Sequence, residues 1–368
     1  MKICLLYLPD SLHLKRWLED YVDLGHEVHV IGHYAESFDS KVHEADKNAH
    51  VHNLSSIPLL RRFTGPVQTR QIINRIDPDV VHAFYVPSYG FYGALSGFHP
   101  LIVSAWGSDI ATSEGSSITA WPDKYGGIME PVIKYTLQQA DIVHTVADHL
   151  TNRCIELGAD PENVIMFPRT PDPDRFGFDV EPAIEDEDVV ISARPFGPLY
   201  SLETLVKAIP KVVEEVPDAT FAFLNRDTDS EEFRKLVESH NAIGNVRLEG
   251  VVPYSEMPSW FAASDVYVST APSDAGHVSL LESMLSGCFP IVPDIQANRA
   301  WVDDGKNGLL YPARNSDILA RQIVKALKND GWRKSIKEEN RDLVLNHPRK
   351  ESMKKLDQKI RSLVNKKK

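Results

Sequence analysis

The chain has little cysteine and no long apolar run. Its 368 residues include only three cysteines, Cys4, Cys154 and Cys288. They lie far apart and form no C-x-x-C pair, so neither a disulfide framework nor a cysteine zinc site is indicated. No stretch approaches the roughly 18 to 20 apolar residues of a membrane-spanning helix, and the run Ile3 to Leu8 is too short for a signal peptide. We therefore expect a cytoplasmic protein.

Excess positive charge is also missing. The formal net charge is -12, which counts against a nucleic-acid partner because a polyanion would be repelled. With 42% hydrophobic and 25% charged residues, the composition is that of an ordinary globular protein. A chain of this length exceeds what one hydrophobic core usually organises, so two domains are expected.

Short apolar runs bounded by turn residues alternate with segments of helical period. This pattern predicts βα units around parallel sheets that are buried on both faces, giving two Rossmann-like, doubly wound α/β domains. Predicted strands lie at 2–8, 27–33, 79–85, 101–106, 142–147 and 164–168, and then at 188–195, 219–225, 246–251, 265–270, 289–293 and 308–311. In residues 11–24, Leu14, Trp17, Leu18 and Tyr21 have helical spacing and Gly25 supplies the stop.

A Pro-rich, acidic stretch within 172–188 separates the two βα series. The expected domains are 1–176, a linker at 177–187, a second domain at 188–345 and a basic helix at 346–368. That helix either packs back on the N-terminal domain or meets an anionic membrane surface with its basic face. Because open α/β sheets bind ligands beyond the carboxyl ends of their strands, the site is expected in a cleft between the domains.

Residues 266–294 read as a strand, a loop, a helix and a second strand. Backbone amides of Gly276, His277 and Val278 at the helix start could bind a phosphate, since first-turn N–H groups lack intrahelical acceptors. Asp274 would lie beside whatever the phosphate carries, and Glu282 could accept from a pair of ribose hydroxyls. Ser279, Glu282, Ser283 and Ser286 nevertheless form one polar stripe, which a solvated helix face explains equally well.

The segment SDAGHVSLLESMLSGCFPIVPD, 273–294, resembles the E-x7-E region of retaining GT-B glycosyltransferases of family 4. Asp274 stands at the first glutamate and Glu282 at the second. Further segments are similar to successive landmarks of that family and cover most of the chain in the expected order: 25–32, 77–85, 103–110, 140–150, 167–176, 192–209 and 298–311. The resemblance implies the GT-B fold, in which two Rossmann-like domains face a central cleft.

The resemblance also implies an activity, namely retaining transfer of a sugar from a nucleoside diphosphate sugar, of UDP or GDP type, to an acceptor hydroxyl. The acceptor would be a glycan, a lipid-linked molecule or a small molecule, and neither a metal nor a cofactor is expected. Arg194, Asp274 and Glu282 would carry catalysis, with Glu282 on the ribose. The other implied donor contacts are Tyr200, Gly276, His277, Val278 and Ser279 for the diphosphate and sugar, and Asn225, Arg226, Val252 and Tyr254 for the nucleobase.

Three positions depart from the family pattern. Tyr200 stands where a second diphosphate-binding cation, a lysine, is usual; Asp274 replaces a glutamate; and Trp106 replaces the histidine of an HG-x-D motif. At an effective dielectric near 20, one ion pair at about 4 Å contributes roughly 4 kcal/mol, so the lost lysine matters. Two alternatives therefore remain: a weakened GT-B protein serving as a sugar-nucleotide-binding or regulatory subunit, and a GT-B sugar-nucleotide epimerase.

Four residues are candidates for the acceptor side. His13 follows the first strand, and an ordinary surface residue is the alternative. Trp106 is an aromatic wall for the sugar or a core residue, while Asp109 binds acceptor hydroxyls or caps a helix. His82 lies within an apolar strand, which favours a structural role. For Arg194, the alternative to a site role is a plain ion pair.

Overall fold

The computed structural model describes residues 1–7, 12–33, 49–54, 61–107, 109–110 and 129–367. The described residues divide into two compact units. The first holds those up to Pro168 together with those from Arg349 onward, and the second holds residues 169–348.

The first unit is built on a parallel sheet of seven strands among its described residues, in the order β3-β2-β1-β4-β5-β6-β7. Its strands are β1 (Lys2–Leu6), β2 (Glu27–Gly32), β3 (His50–Asn53), β4 (Val80–Phe84), β5 (Leu101–Ala105), β6 (Ile142–Thr145) and β7 (Val164–Met166). Its first helices are α1 (Leu12–Asp23), α2 (Arg61–Ile76), α3 (Phe91–Ser96), α4 (Met129–Gln139) and α5 (Asp148–Glu156). A π-helical segment, Tyr85–Gly90, follows β4 directly.

The second unit has a parallel sheet of six strands in its described residues, in the order β10-β9-β8-β11-β12-β13. The strands are β8 (Val189–Ser192), β9 (Thr220–Leu224), β10 (Val246–Gly250), β11 (Val266–Val268), β12 (Phe289–Pro293) and β13 (Leu309–Tyr311). The helices are α6 (Glu203–Glu215), α7 (Glu231–Ser239), α8 (Met257–Ala262), α9 (Val278–Leu285), α10 (Gln296–Arg299), α11 (Ser316–Leu327) and α12 (Asp330–Leu345). Short 3-10 turns occupy Pro161–Asn163 in the first unit and Ile243–Asn245 in the second.

Both sheets follow the doubly wound strand order in which the first and fourth strands are neighbours. Central strands such as β4, β5 and β12 are buried along their whole length, because helices cover both faces of a parallel sheet. This burial explains the continuous apolar runs from which the strands were predicted. The α/β, doubly wound prediction is confirmed.

The last helix, α13 (Arg349–Lys367), belongs to the first unit. Its buried stripe consists of Met353, Leu356, Ile360 and Val364. Two ionic contacts join it to earlier residues of the unit: Arg349 Nη2 lies 2.5 Å from Asp20, and His26 Nε2 lies 2.9 Å from Asp357. Most of its lysines are exposed, as expected of a packed amphipathic helix.

The strand predictions agree with the structure at all positions but one. The polar strand β3, with the sequence HVHN, was not predicted, because it lacks an apolar run and lies at the sheet edge. Among the described residues, no helix combines the length and the apolar character that crossing a bilayer would need.

Candidate functional site

The second sheet reverses its winding between β8 and β11. These strands are parallel neighbours, and the chain leaves β8 toward β9 on one side and β11 toward β12 on the other. Such a switch point leaves a crevice beyond the carboxyl ends of the two strands, where α/β sheets bind ligands. Arg194 comes two residues after β8, and the loop that leads to α9 comes after β11.

Arg194, Asp274 and His277 meet at this switch point. Arg194 Nη2 donates to Asp274 Oδ2 at 2.5 Å and lies 3.3 Å from His277 Nδ1. The same His277 nitrogen is 3.3 Å from Asp274 Oδ2. Only 13% of the Arg194 side chain and 15% of the Asp274 side chain are exposed, so this is a shielded ionic cluster and not a surface salt bridge.

The cluster holds its two charges firmly. Burial opposes ionisation of Asp274, but the charges of Arg194 and His277 and the N–H groups of Ala275 and Gly276 outweigh it, so the pKa of this carboxyl lies below its usual range. Burial likewise opposes the charge on Arg194, yet Asp274 raises the pKa of the guanidinium above its usual value. Arg194 is therefore a permanent cation beside a permanent anion.

The loop before α9 is held by its own polar groups. Asp274 Oδ1 accepts from the backbone N–H groups of Ala275 at 2.7 Å and Gly276 at 3.2 Å. The Val278 N–H donates to the Gly276 carbonyl at 2.8 Å, and Arg169 Nη2 donates to the same carbonyl at 3.4 Å. The predicted phosphate amides of Gly276 and Val278 are thus engaged within the loop in this structure.

Arg169 is a residue that the sequence reasoning did not single out. It follows β7 in the chain, far from the donor motifs, so only the fold brings it to the α9 loop. Its guanidinium places a second cation beside the Gly276 carbonyl. Tyr200, at the usual lysine position, lies with its ring centroid 5.9 Å from the Arg194 guanidinium carbon.

Glu282 is a buried carboxylate, not a solvated one. It is 4% exposed and accepts a hydrogen bond of 2.7 Å from the Tyr254 hydroxyl. Ser283 and Ser286 are buried as well, and the Ser279 hydroxyl lies 2.9 Å from that of Tyr267. The solvated-face explanation of the polar stripe is therefore wrong. The contact also joins a residue predicted for the ribose to one predicted for the nucleobase.

The other predicted nucleobase residues follow β9 and β10. Asn225 has φ of +125°, and its amide donates to the Ala193 carbonyl at 3.2 Å, beside Arg194. The Arg226 side chain is 74% exposed and lies 3.6 Å from Asp227, whereas Val252 is partly buried. Because all strands of this sheet are parallel, these residues share the carboxyl edge with Arg194.

In the first unit, Trp106 belongs to an aromatic cluster at the matching edge of the sheet. Its ring centroid lies 5.3 Å from Tyr7, 5.5 Å from Phe84 and 5.3 Å from Tyr85. Trp106 is 6% exposed, so packing accounts for most of its surface. Tyr85 adopts φ of +63°, an unusual backbone conformation that starts the π-helical segment.

Asp109 is buried and accepts three backbone N–H groups. Its carboxylate lies 3.0 Å from Val86 N, 3.0 Å from Trp106 N and 2.8 Å from Gly107 N. Burial raises the pKa of this carboxyl although the three N–H groups oppose the shift. The acceptor and capping alternatives from the sequence both give way to a third role here, in which Asp109 ties the ends of β4 and β5 together.

His82 is completely buried in β4. Its Nδ1 lies 2.9 Å from the Tyr21 hydroxyl and its Nε2 lies 2.8 Å from Ser104 Oγ, which in turn lies 2.9 Å from His144 Nδ1. Burial, aided by His144, holds the pKa of His82 well below its usual value. The geometry supports the structural alternative and leaves His82 without contact to an acceptor position. His13 lies in α1, and its side chain is outside the described part of the structure.

Two family models match the chain one after the other. The model described as glycosyl transferase 4-like matches residues 2–147, and the model described as glycosyl transferases group 1 matches residues 175–343. Between them they account for most of the chain. With two doubly wound parallel-sheet units, these matches define a GT-B protein.

Solved structures show the same fold. Anabaena HepE, solved in complex with UDP and glucose, has a TM-score of 0.82 at 16% identity, with 99% of this chain and 100% of that chain covered. The sucrose-phosphate synthase of Thermosynechococcus elongatus also gives 0.82 at 16% identity, with 99% of each chain covered. The chain belongs to the group 1 type of GT-B glycosyltransferases, as its sequence predicted.

Curated relatives share shorter segments. The GtfA subunit of the UDP-N-acetylglucosamine–peptide N-acetylglucosaminyltransferase of Streptococcus pneumoniae serotype 4 is 28% identical over 126 residues, which are 34% of this chain and 24% of that protein. The phosphatidyl-myo-inositol mannosyltransferase of Mycolicibacterium smegmatis is 28% identical over 152 residues, 40% of this chain and 38% of that protein. The matches thus span well under half of the relatives' lengths.

Proposed function

We propose that the protein transfers a sugar from a nucleoside diphosphate sugar to an acceptor hydroxyl with retention at the anomeric carbon. The observation that carries the proposal is the shielded cluster of Arg194, Asp274 and His277 at the switch point, on the same sheet edge as buried Glu282. Fixed cations and N–H donors at such a place stabilise the negative charge that develops on a departing diphosphate.

In this mechanism the bond between the anomeric carbon and a phosphate oxygen breaks while the acceptor oxygen attacks on the same face. The departing diphosphate takes the acceptor proton, so no pair of carboxylates needs to flank the reacting carbon. Arg194 has a donor ready for this task, because among the described residues its buried Nε has no hydrogen-bond partner while Nη2 is held by Asp274. Arg169 supplies a second cation near the loop, where Tyr200 supplies none.

We assign the remaining donor contacts by position. Asp274 lies where the sugar hydroxyls would be, and Glu282 with Tyr254 would hold the ribose and base. UDP is the favoured nucleotide because the structural relative HepE was solved with UDP and glucose, and with UDP-glucose. The work of the protein's own residues requires no metal in this scheme.

A second candidate function is a sugar-nucleotide-binding subunit without turnover. The ion pair between Arg194 and Asp274 favours it, since a paired cation attracts a diphosphate less strongly than an unpaired one, and Tyr200 removes the usual lysine. The two functions share the site and differ only in whether a sugar leaves it.

One experiment separates these functions. The full chain is screened by thermal shift against UDP, GDP, ADP and dTDP, and the nucleotide that stabilises it is then offered as a panel of sugar donors. We expect stabilisation by UDP, slow hydrolysis of one UDP-sugar, and an α-configured product from an α-configured donor by NMR. Stabilisation without release of any sugar would instead establish the binding subunit.

Matched variants test the assignment itself. Arg194→Ala and Glu282→Gln should lose UDP stabilisation, whereas Arg247→Ala and Glu238→Gln, exposed residues of the same unit, should keep it. Full UDP binding by both site variants would contradict the assignment.

For the acceptor, we propose a lipid-linked or polymeric molecule at an anionic membrane surface. The exposed lysines of α13 carry this proposal, together with a relative named as a phosphatidyl-myo-inositol mannosyltransferase. Sedimentation with vesicles that contain phosphatidylglycerol should pull down the wild type, and replacement of Lys350, Lys354 and Lys355 by Gln should weaken that binding. Equal sedimentation with neutral vesicles would contradict an electrostatic surface.

A further inference from the structure

Three histidines and a glutamate share one face at the edge of the first sheet. Glu27 and His29 lie two residues apart on β2, and His50 and His52 lie two residues apart on the edge strand β3. The parallel register pairs His29 with His50. Since alternate residues of a strand point to the same face, all four side chains lie on one side of the sheet.

The contacts within this group are close. Glu27 Oε1 lies 2.9 Å from His29 Nε2, and the imidazoles of His29 and His50 stack with centroids 4.7 Å apart. One ligand atom each of Glu27, His29 and His50 can be chosen so that all lie within 4.8 Å of one another. On the other side of the His29 ring, Nδ1 lies 3.0 Å from His52 Nε2.

We propose that Glu27, His29 and His50 bind a divalent transition-metal ion of the zinc class, with His52 orienting the His29 ring. Two imidazole nitrogens and one carboxylate oxygen are a donor set that suits Zn²⁺, Ni²⁺ or Cu²⁺ and not Mg²⁺ or Ca²⁺, which take oxygen ligands. A ligating histidine almost always bonds through its second nitrogen to a neighbouring group, and His52 fills that position for His29.

The burial pattern suits a site that an ion can enter. His29 is buried and fixed between two partners, whereas Glu27 and His50 are exposed. Two ligands of one ion lie at most about 4.2 Å apart when each bond is about 2.1 Å long. A small rotation of the exposed Glu27 or His50 side chain closes the remaining distance.

Binding would have a structural consequence. The ion would cross-link β2 to β3, and so hold the edge of the sheet where backbone groups on one side lack a strand partner. Because the ligands come together only in the folded chain, the ion would raise the stability of the folded protein. Lys2 acts electrostatically on Glu27 and His29, and Arg75 acts on His52; both cations oppose a metal ion.

The test uses the full chain without an affinity tag, stripped with a chelator and titrated with Zn²⁺ alone by calorimetry. We expect one Zn²⁺ per chain at this site and a higher melting temperature, with no comparable effect of Mg²⁺. His50→Ala and Glu27→Gln should each weaken binding at least about tenfold, and His52→Ala by about 10- to 100-fold, as loss of an orienting partner does. His240→Ala, which alters a histidine of the second unit, should bind as the wild type does.

Both ligand variants alter exposed side chains, so circular dichroism should show folded protein. Wild-type affinity in His50→Ala and Glu27→Gln would overturn the proposal, because the ion would then lie elsewhere. Failure of the stripped wild type to bind Zn²⁺ would overturn it as well.

Discussion

The two sheets share one winding order but carry different chemistry at the same edge. Beyond the first and fourth strands of the second sheet lie Arg194 and Asp274, which form a shielded ion pair. Beyond the first and fourth strands of the first sheet lie Tyr7 and Tyr85, which pack with Trp106. Topology therefore fixes where a crevice forms, and the residues after each strand decide whether it holds charge or packs aromatic rings.

The two buried aspartates make the same contrast. Asp274 has a cationic partner, which helps to hold its pKa below the usual range, whereas Asp109 is bonded by backbone N–H groups and its burial raises its pKa. One carboxylate is thus set beside a cation that can meet a ligand, and the other fastens a loop. The predictions below use this difference, starting with the largest effect.

Arg194→Ala should abolish most of the proposed transfer. Removing a preorganised donor from developing negative charge typically lowers the rate 10²- to 10³-fold, or about 3 to 4 kcal/mol. The measurement is the rate of UDP release from the preferred donor, with Arg247→Ala as the matched control. A tenfold effect or less would place the diphosphate elsewhere on the sheet edge.

Asp109→Ala should act on stability and not on donor binding. Three buried N–H groups lose their acceptor, and each unsatisfied group costs about 1 to 3 kcal/mol, so we expect a loss of about 3 kcal/mol or more in the free energy of unfolding. Urea unfolding measures it, with exposed Asp23→Ala as the control. If Asp109→Ala kept its stability but lost acceptor turnover, the contrast between the two edges would fail.

Tyr254→Phe should weaken UDP binding by about three- to tenfold, because Glu282 loses one charge-assisted hydrogen bond of about 1 kcal/mol. Calorimetry with UDP measures the effect, and Tyr135→Phe, in the first unit, serves as the control. In a double-mutant cycle with Glu282→Gln, the two changes should be non-additive because the residues are in contact. Additive effects would separate their roles.

The smallest effect concerns pH. The folded pKa of Asp274 is lowered, so the stability it contributes is present above the ordinary carboxyl pKa near 4 and is lost as the pH falls further. Asp274→Asn should therefore be less stable than the wild type at pH 7, with a difference that shrinks below about pH 4. Melting temperatures of both proteins from pH 7 to pH 3 measure it. A difference that grows on acidification would reverse the sign.

Much of the fold could be predicted because its strands are buried on both faces. Runs such as Val80–Phe84 and Phe289–Pro293 are apolar throughout, and each was found within two residues of its observed bounds. Strand β3 was missed for the opposite reason, since His50 and His52 interrupt any apolar pattern at an open sheet edge. The same omission hid the histidine cluster, whose only sequence signal is the pair of alternating segments EVH and HVH.

The site was predictable as a set of positions but not as a set of contacts. The motif located Asp274 and Glu282, yet local pattern could not decide whether Glu282 was solvated, because burial depends on how α9 packs on its sheet. Arg169 was missed since its contact with Gly276 joins residues more than a hundred positions apart. His82 and Asp109 were candidates by their place after or within strands, and only the hydrogen bonds show what they hold.

Hydrogen exchange measured by mass spectrometry with and without UDP tests the central claim most directly, since it reports on both sheet edges at once. The account predicts that UDP slows exchange in peptides covering 193–200 and 274–285. Peptides covering 84–86 and 104–107 should change less. Protection confined to the first-unit peptides, with none around Arg194 and Glu282, would contradict the assignment of the donor site.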